Sequence, residues 1–260
     1  MSRVYDALRK AVDETDQPSG IQVIKSKRED PASDRFDSVP VSHNGVWHPP
    51  DLSALAQEQV TKLVQRVFML PNSSAPRRVV FASVDKGYGS SELCFLAGTA
   101  LASQVSGSVC LVDANFHASF LHQLLKADMF PGFADAMVNP KPIRDFALRI
   151  AGGNIWLVAP GSPDLQSSVF ASDRFCSRMI ELREKFDYVL IDAAPLGSST
   201  DAVLLGQKAD GLVLIVEAHS TRREAARIAK ETLEASKVNV LGAILNNRTF
   251  PIPESLYRRL

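Results

Sequence analysis

A glycine-containing turn between a predicted strand and a predicted helix carries the first chemistry that the sequence suggests. The β-branched run 79–84 leads into a turn that contains Gly87 and Gly89, and Ser90 and Ser91 then begin a long apolar helical segment. Glycines let backbone N–H groups approach phosphate oxygens, and the start of a helix adds positive potential there. The pattern favours a phosphate-binding loop, with a plain corner between strand and helix as the alternative.

The loop departs from the usual phosphate-loop pattern G-x-x-x-x-G-K-[ST] at two positions. Gly89 and Ser91 match the second glycine and the hydroxyl, whereas Val84 and Ser90 replace the first glycine and the lysine. The hydroxyl that contacts Mg²⁺ is therefore kept, while the lysine that contacts the β- and γ-phosphates is lost. We expect Gly87, Gly89, Ser90 and Ser91 to contact a nucleotide, and to bind it weakly.

Carboxylates and an amide stand at the ends of other predicted strands. Asp113 and Asp192 each end an apolar strand, and Asn246 follows another. The carboxyl ends of parallel strands meet at one edge of a sheet, where such folds bind ligands. Ser91, Asp113 and Asp192 are thus candidate ligands for Mg²⁺, and the two aspartates are the candidate catalytic carboxylates of an active enzyme. The alternative is that each aspartate only caps the turn after its strand.

The elements that must position these residues alternate along the chain. Near-continuous Val, Ile and Leu runs separated by helical segments predict an α/β fold, a mostly parallel sheet with helices on both faces. The predicted strands cover residues 79–84, 108–113, 154–159, 187–192, 211–217 and 238–245, and the predicted helices cover residues 52–69, 90–104, 119–126, 173–185, 201–208 and 221–236.

The beginning of the chain has a different pattern. Residues 1–12 form a predicted short amphipathic helix, residues 13–51 are rich in Asp, Ser, Pro and Lys, and residues 52–260 hold the predicted α/β domain. The middle segment is typical of a linker or a loosely ordered arm. A helix this short is marginal in water, so we expect it to pack on its own domain or on a partner.

The charge balance, the cysteines and the lack of long apolar runs exclude several classes of protein. Lys plus Arg and Asp plus Glu number 29 each, so no overall field attracts nucleic acid or anionic lipid. The three cysteines, Cys94, Cys110 and Cys176, are far apart in apolar segments, which favours buried reduced thiols over a disulfide or metal framework. No apolar run approaches the ~18 residues of a membrane span, and the polar start is unlike a secretory signal. We expect a cytoplasmic location.

An ordered series of further segments carries a family resemblance. It consists of residues 2–11, 110–115, 186–195, 200–202, 209–211, 221–225, 241–246 and 251–257. With these segments the chain resembles the bacterial tyrosine autokinases of capsule and exopolysaccharide assembly, relatives of the Min- and Par-type P-loop ATPases, and Phe186 to Pro195 is similar to their Walker B motif. The resemblance implies a P-loop NTPase fold of the deviant-Walker type, ATP and Mg²⁺ as cofactors, and Asn246 near the base.

The departures from the family pattern lie at positions that would contact the phosphates or the metal ion. Ser90 replaces the family lysine, Asn115 stands in place of a second aspartate, His117 replaces a usual arginine, and Glu92 adds a carboxylate at the helix start. Removing a positioned donor or cation costs about 10²–10⁵-fold in rate. The first interpretation is therefore a degenerate, kinase-like protein that regulates or scaffolds exopolysaccharide synthesis or export. The alternatives are an active tyrosine autokinase, in which Lys86 or a neighbouring subunit supplies the cation, and a partitioning ATPase.

The resemblance also implies partners. These are the cytoplasmic segment of a membrane polysaccharide chain-length or export protein, which would hold the chain at the inner membrane, and further copies of the chain; nucleic acid is not expected. The helix that the family uses for ring assembly keeps Glu58 here and lacks the arginine spacing. Of the family's C-terminal tyrosine cluster, Tyr257 alone is present.

Overall fold

The computed structural model describes residues 54–69, 75–86, 89–118, 121, 131–150 and 153–247. Several sequence predictions lie outside these described residues. They are the N-terminal helix, the linker arm, Gly87, the helix 119–126 apart from Leu121, and the segment 251–257 with Tyr257.

Seven strands form one sheet in the described residues. They are β1 (Arg78–Ser83), β2 (Val109–Ala114), β3 (Ala147–Arg149), β4 (Ile155–Val158), β5 (Tyr188–Ala193), β6 (Gly211–Glu217) and β7 (Val240–Asn246). The strand order is β3-β4-β2-β5-β1-β6-β7, and every neighbouring pair is parallel except β3 with β4. The predicted α/β fold with a mostly parallel sheet is confirmed.

Helices cover both faces of this sheet. They are α1 (Ala54–Phe68), α2 (Gly89–Gln104), α3 (Phe133–Val138), α4 (Pro163–Gln166), α5 (Phe175–Lys185), α6 (Asp201–Gly206) and α7 (Arg223–Ala235), with one turn of 3₁₀ helix at Ile143–Phe146. Because side chains alternate along a strand, Val79 and Phe81 of β1 face one layer while Val80 and Ala82 face the other. The first layer holds α1 and α2, and the second holds α3, α5, α6 and α7.

Helix α2 lies close against the middle of the sheet. It is apolar on most of its surface and buries Cys94, Phe95, Leu96 and Leu101. A Cβ atom at Gly98 would lie 2.5 Å from Leu111 Cδ2 of β2, so glycine permits this close approach. The close packing holds the first turn of α2 directly over the carboxyl ends of the central strands.

Helix α1 packs outside α2 through one apolar face. Val60, Val64 and Phe68 are buried there, and Phe68 makes an edge-to-face ring contact with Tyr188. On the exposed side Lys62 Nζ lies 2.6 Å from a Glu58 carboxylate oxygen, one helical turn away. This helix confirms the element predicted at residues 52–69.

Candidate functional site

The loop after β1 is fixed to its neighbours at its beginning. Val84 is buried, and its N–H donates to Ile215 O of β6 at 3.0 Å, while its carbonyl accepts the N–H of Gly197 at 2.9 Å. The hydroxyl of Ser83 donates to the carbonyl of Asp85 at 2.8 Å. These hydrogen bonds fix the direction in which the chain leaves β1 before α2 begins at Gly89.

The structure brings Gly89 and Asn246 into contact. A Cβ atom at Gly89 would lie 2.2 Å from Asn246 Nδ2, so the amide occupies the space that a side chain would need. Asn246 is the last residue of β7, and its carbonyl accepts the N–H of Ala218 at 2.8 Å. Two residues from opposite ends of the domain sequence thus meet at the turn, as the strand ends predicted.

Ser91, Asp113 and Asp192 form the second part of the site. Asp113 and Asp192 are directly paired residues of the adjacent strands β2 and β5, and both side chains are fully buried. Burial raises the pKa of Asp192 well above its usual value, the charge of Asp113 raises it further, and the nearby Ser91 side chain opposes the shift. Because Gly89 and Ser91 belong to the same helical turn, the two parts form one site.

Hydrogen bonding separates the roles of the two aspartates. Asp113 Oδ1 accepts the N–H of Asn115 at 3.3 Å, which is the turn-capping role. Neither oxygen of Asp192 has a hydrogen-bond partner of normal geometry, although Ser91 lies near enough to lower its pKa. Turn capping therefore explains one hydrogen bond of Asp113, whereas it does not explain why Asp192 is buried at this position.

Two further buried polar groups lie in the same loops. Glu92 is 4% exposed, its Oε1 has no hydrogen-bond partner, and burial raises its pKa from 4.5 to about 7. Asn115 Oδ1 is likewise buried without a partner. The neutral form of the Glu92 carboxyl is therefore well populated near pH 7, so this group repels an anion less than a fully ionised carboxylate would.

The donor set fits a metal ion that arrives with a nucleotide. Buried carboxylate oxygens without partners and a nearby hydroxyl are ligands that Mg²⁺ accepts, and Mg²⁺ commonly combines one or two carboxylates with phosphate oxygens and water. Among the described residues no group of three His, Cys, Asp or Glu side chains is arranged as a protein-only metal centre. Ser91, Asp113 and Asp192 would hold such an ion only together with phosphate.

Among the described residues, positive charge is scarce at this site. Ser90, at the position of the usual lysine, is 2% exposed. Lys86, Arg222 and Arg223 have exposed side chains. His117 Nε2 lies 3.9 Å from Asp201 Oδ2 at the start of α6, with 63% of its side chain exposed. Within the described ranges, no basic side chain hydrogen bonds to Asp192.

The cysteines correct one sequence prediction and add one neighbour to the site. Cys94 and Cys110 are buried as expected, but Cys176 is exposed on α5, so its prediction as a buried thiol was wrong. Burial raises the pKa of Cys94 well above its usual value, and the charges of Asp192 and Asp113 raise it further. This thiol therefore lies within electrostatic range of both carboxylates, which the sequence pattern did not reveal.

Comparison with known proteins supports the fold. The tyrosine-protein kinase CpsD of Streptococcus agalactiae is 27% identical over 170 residues, which cover 65% of this chain and 74% of CpsD. The crystal structure of the chimerical protein CapA2B2 has a TM-score of 0.67 at 21% identity, covering 74% of this chain and 85% of that one. The septum site-determining protein MinD of Pyrococcus horikoshii, solved with Mg-ADP, has a TM-score of 0.56 at 20% identity, covering 70% and 76%. No protein-family profile matches the chain.

The structural likenesses establish the fold, and the sequence likeness to CpsD extends over about two thirds of the chain. In sequence the chain is similar to bacterial tyrosine-protein kinases such as CpsD, and in structure it has the P-loop fold that these proteins share with MinD.

Proposed function

We propose that this chain is a degenerate tyrosine-autokinase-like protein that regulates or scaffolds exopolysaccharide biosynthesis or export, with little or no catalysis. The observation that carries the proposal is Ser90, which stands buried in the first turn of α2 where the phosphate-loop pattern requires lysine. A buried hydroxyl supplies no charge to a terminal phosphate. Loss of one positioned cation costs about 10³–10⁵-fold in phosphoryl transfer.

The carboxyl of Glu92 adds to this loss. It is buried in the same turn as Ser90, and when ionised it disfavours phosphate at the start of the helix. The family lysine supplies positive charge at this turn, whereas here the turn supplies a group that is neutral or negative. The missing lysine and the added carboxyl both make this turn less favourable for the negatively charged phosphates.

Residual nucleotide binding rests on the parts that remain. Backbone N–H groups at Gly87, Gly89, Ser90 and Ser91 would contact phosphate oxygens, and Asn246 would lie next to the nucleotide at the turn. Ser91, Asp113 and Asp192 would hold Mg²⁺, which supplies charge neutralisation at the phosphates when it is bound. The Mg-ADP of the related MinD structure supports ATP and Mg²⁺ as the cofactors.

The partner follows from the family resemblance. We propose that the chain acts at the cytoplasmic face of the membrane, where it binds the cytoplasmic segment of a polysaccharide chain-length or export protein. In the described residues no helix is long and apolar enough to cross a membrane. Under this proposal the attachment is made through the partner.

A second candidate function is an active ATP-dependent tyrosine autokinase with a rearranged phosphate site. The observation that favours it is the intact geometry of Ser91, Asp113 and Asp192, which an enzyme would also need. Lys86 is exposed three residues before Gly89, so its ammonium group is free to move toward a bound phosphate. In this case Lys86 replaces the missing lysine.

The two functions are separated by ATP binding and phosphotyrosine formation on the purified full chain, with and without the partner segment. The first function predicts weak, Mg-dependent ATP binding by calorimetry and no phosphotyrosine above background. Lys86→Ala is the diagnostic variant, and Lys208→Ala, an exposed lysine after α6, is its matched control. Turnover that Lys86→Ala abolishes and Lys208→Ala retains would overturn the first function in favour of the second.

A further inference from the structure

Two arginines converge on one tryptophan at the amino end of β4. Trp156 is the second residue of this strand, is partly exposed and packs against the second helical layer. The guanidinium carbon of Arg144 lies 4.4 Å from the centroid of the Trp156 ring, and that of Arg149 lies 5.7 Å from it. One indole ring therefore holds two exposed arginines that come from different elements, the 3₁₀ helix and β3.

The end of α5 holds the first of these arginines in place. The guanidinium carbon of Arg144 also lies 5.6 Å from the ring centroid of Phe186, and the rings of Phe186 and Trp156 are 6.0 Å apart. Arg144 Nη1 donates to the carbonyl of Lys185, in the last turn of α5, at 3.4 Å. The guanidinium group therefore lies between two aromatic rings and a helix end.

The sheet holds the second arginine in place. Arg149 is directly paired with Trp156 in the antiparallel ladder, so the two side chains lie on the same face. Arg149 Nε donates to the carbonyl of Gly153 at 2.7 Å, and within the described residues this is the one hydrogen bond of its guanidinium group. Residues 151 and 152, in the turn beside it, are alanine and glycine, so they bring no acidic side chain to the arginines.

The charged side chains on the surrounding elements are basic in the majority. The basic ones are Lys141, Arg144, Arg149, Arg183 and Lys185, and the acidic ones are Asp145, Glu181, Glu184 and Asp187. Two of these carboxylates are engaged elsewhere, since Glu181 accepts a hydrogen bond from Arg178 and Asp187 accepts one from Ser108. In the part of the chain that the structure describes, no carboxylate forms an ion pair with Arg144 or Arg149.

We propose that Arg144, Trp156 and Arg149 form a binding site for a phosphate group, separate from the phosphate turn. Stacking occupies the faces of the two guanidinium groups and leaves their N–H edges, which bind phosphate oxygens in pairs. Two fixed positive charges match the charge of about −1.5 to −2 that a phosphate monoester carries at pH 7. Trp156 pairs with Cys110, three residues before Asp113, so the site lies about 10 Å from the carboxyl ends of the strands.

The fluorescence of Trp156 tests this site directly. The chain has two tryptophans, so Trp47→Phe leaves Trp156 as the only emitter in the full chain. Inorganic phosphate, added at constant ionic strength with chloride as the reference, is expected to change this emission until it saturates. Arg144→Gln and Arg149→Gln are each expected to weaken the binding at least about tenfold.

Arg66→Gln is the matched control. It removes an exposed arginine from α1, which lies in the other helical layer, and is expected to leave the phosphate affinity unchanged. Arg149→Lys keeps the charge and loses the planar fork, so it is expected to weaken the binding as well. Circular dichroism melts check that every variant folds.

Vesicles separate the two sources of a phosphate group. If the ligand is a lipid headgroup, the chain is expected to sediment with phosphatidic acid vesicles, not with phosphatidylcholine vesicles, and Arg149→Gln is expected to release it. A response to inorganic phosphate without sedimentation assigns the site to a soluble phosphate compound. Both outcomes support the site.

An emission that neither inorganic phosphate nor phosphatidic acid vesicles change overturns the proposal, whether the arginines are free or are engaged by another part of the chain. Equal weakening by Arg149→Gln and Arg66→Gln also overturns it. Full affinity in Arg149→Lys does the same, because diffuse charge would then be enough. None of these measurements uses ATP or Mg²⁺, so the outcome does not depend on the proposed function.

Discussion

Two regions of this molecule differ in how well their buried charged side chains are hydrogen bonded. Under the second helical layer, Arg178 is buried and donates to Glu181 and to the carbonyls of Ala136 and Asn139. At the phosphate turn, Asp192 and Glu92 are just as buried, and within the described residues neither Asp192 oxygen nor Glu92 Oε1 has a hydrogen-bond partner of normal geometry. Folded proteins satisfy buried polar groups almost everywhere, so the exceptions mark places kept for something besides stability.

The largest effect is expected from breaking the satisfied region. Arg178→Ala leaves the Glu181 carboxylate and the two carbonyls at the end of α3 without their donor. Removing one partner of a buried ion pair costs about 3–5 kcal/mol of unfolding free energy. Urea denaturation at neutral pH measures this loss. A loss below about 1 kcal/mol would mean that the pair contributes no more than a surface contact.

Glu92→Gln is expected to act in the opposite direction at the unsatisfied region. The unfolded carboxyl ionises near pH 4.5 and the folded one near 7, so folding keeps a proton and stability falls as pH rises between these values. The difference corresponds to about 3 kcal/mol above pH 7. The variant should therefore be more stable than wild type at pH 8 and equal to it at pH 4. Denaturation across this range checks the prediction, and a constant difference would contradict it.

Ser90→Lys tests whether charge is what the turn lacks. The ammonium group would reach the phosphates as the usual lysine does, so we expect ATP affinity to rise about 10–100-fold. Ser90→Met, similar in length and uncharged, is the matched control, and calorimetry with Mg-ATP measures both. Equal affinities in the two variants would show that shape at the turn limits binding.

The smallest effect is expected at an exposed pair. Lys62 and Glu58 lie on the surface of α1, with 49% and 57% of their side chains exposed. Lys62→Ala should change the unfolding free energy by less than about 0.5 kcal/mol, because solvent screens such pairs. Thermal melts of Lys62→Ala and Arg178→Ala under the same conditions compare the two losses of stability. A Lys62→Ala loss that approaches the Arg178→Ala loss would undo the contrast between buried and exposed charge.

The strands that carry the candidate site were predictable because their signal is local. Runs of Val, Ile and Leu of the right length placed the strands before Asp113 and Asp192 to within one residue of β2 and β5. Strand β3 was not predicted, since Ala147–Arg149 has three residues and pairs through tertiary packing. Helix α3, with six residues, has too short a pattern to stand out.

The contacts within the site depend on information that the pattern lacks. Strand ends were expected to gather Gly89, Asp113, Asp192 and Asn246 at one edge, but the order of the strands decides which of them touch. Direct pairing of Asp113 with Asp192 comes from β2 lying next to β5. The burial of Glu92, which moves its pKa to about 7, depends on how α2 is covered, and no spacing rule predicts that.

The contact between Asn246 and Gly89 joins the rim of the sheet to the turn before α2. A shift of the end of β7 would move the Asn246 amide relative to the turn, and it would thereby change the affinity of the turn for anions. Thermodynamic reciprocity then requires the converse, that an anion seated at the turn changes the affinity of the rim by the same factor. Under the proposed function, a nucleotide bound at the turn would therefore change the affinity for a partner at this rim even with little or no catalysis.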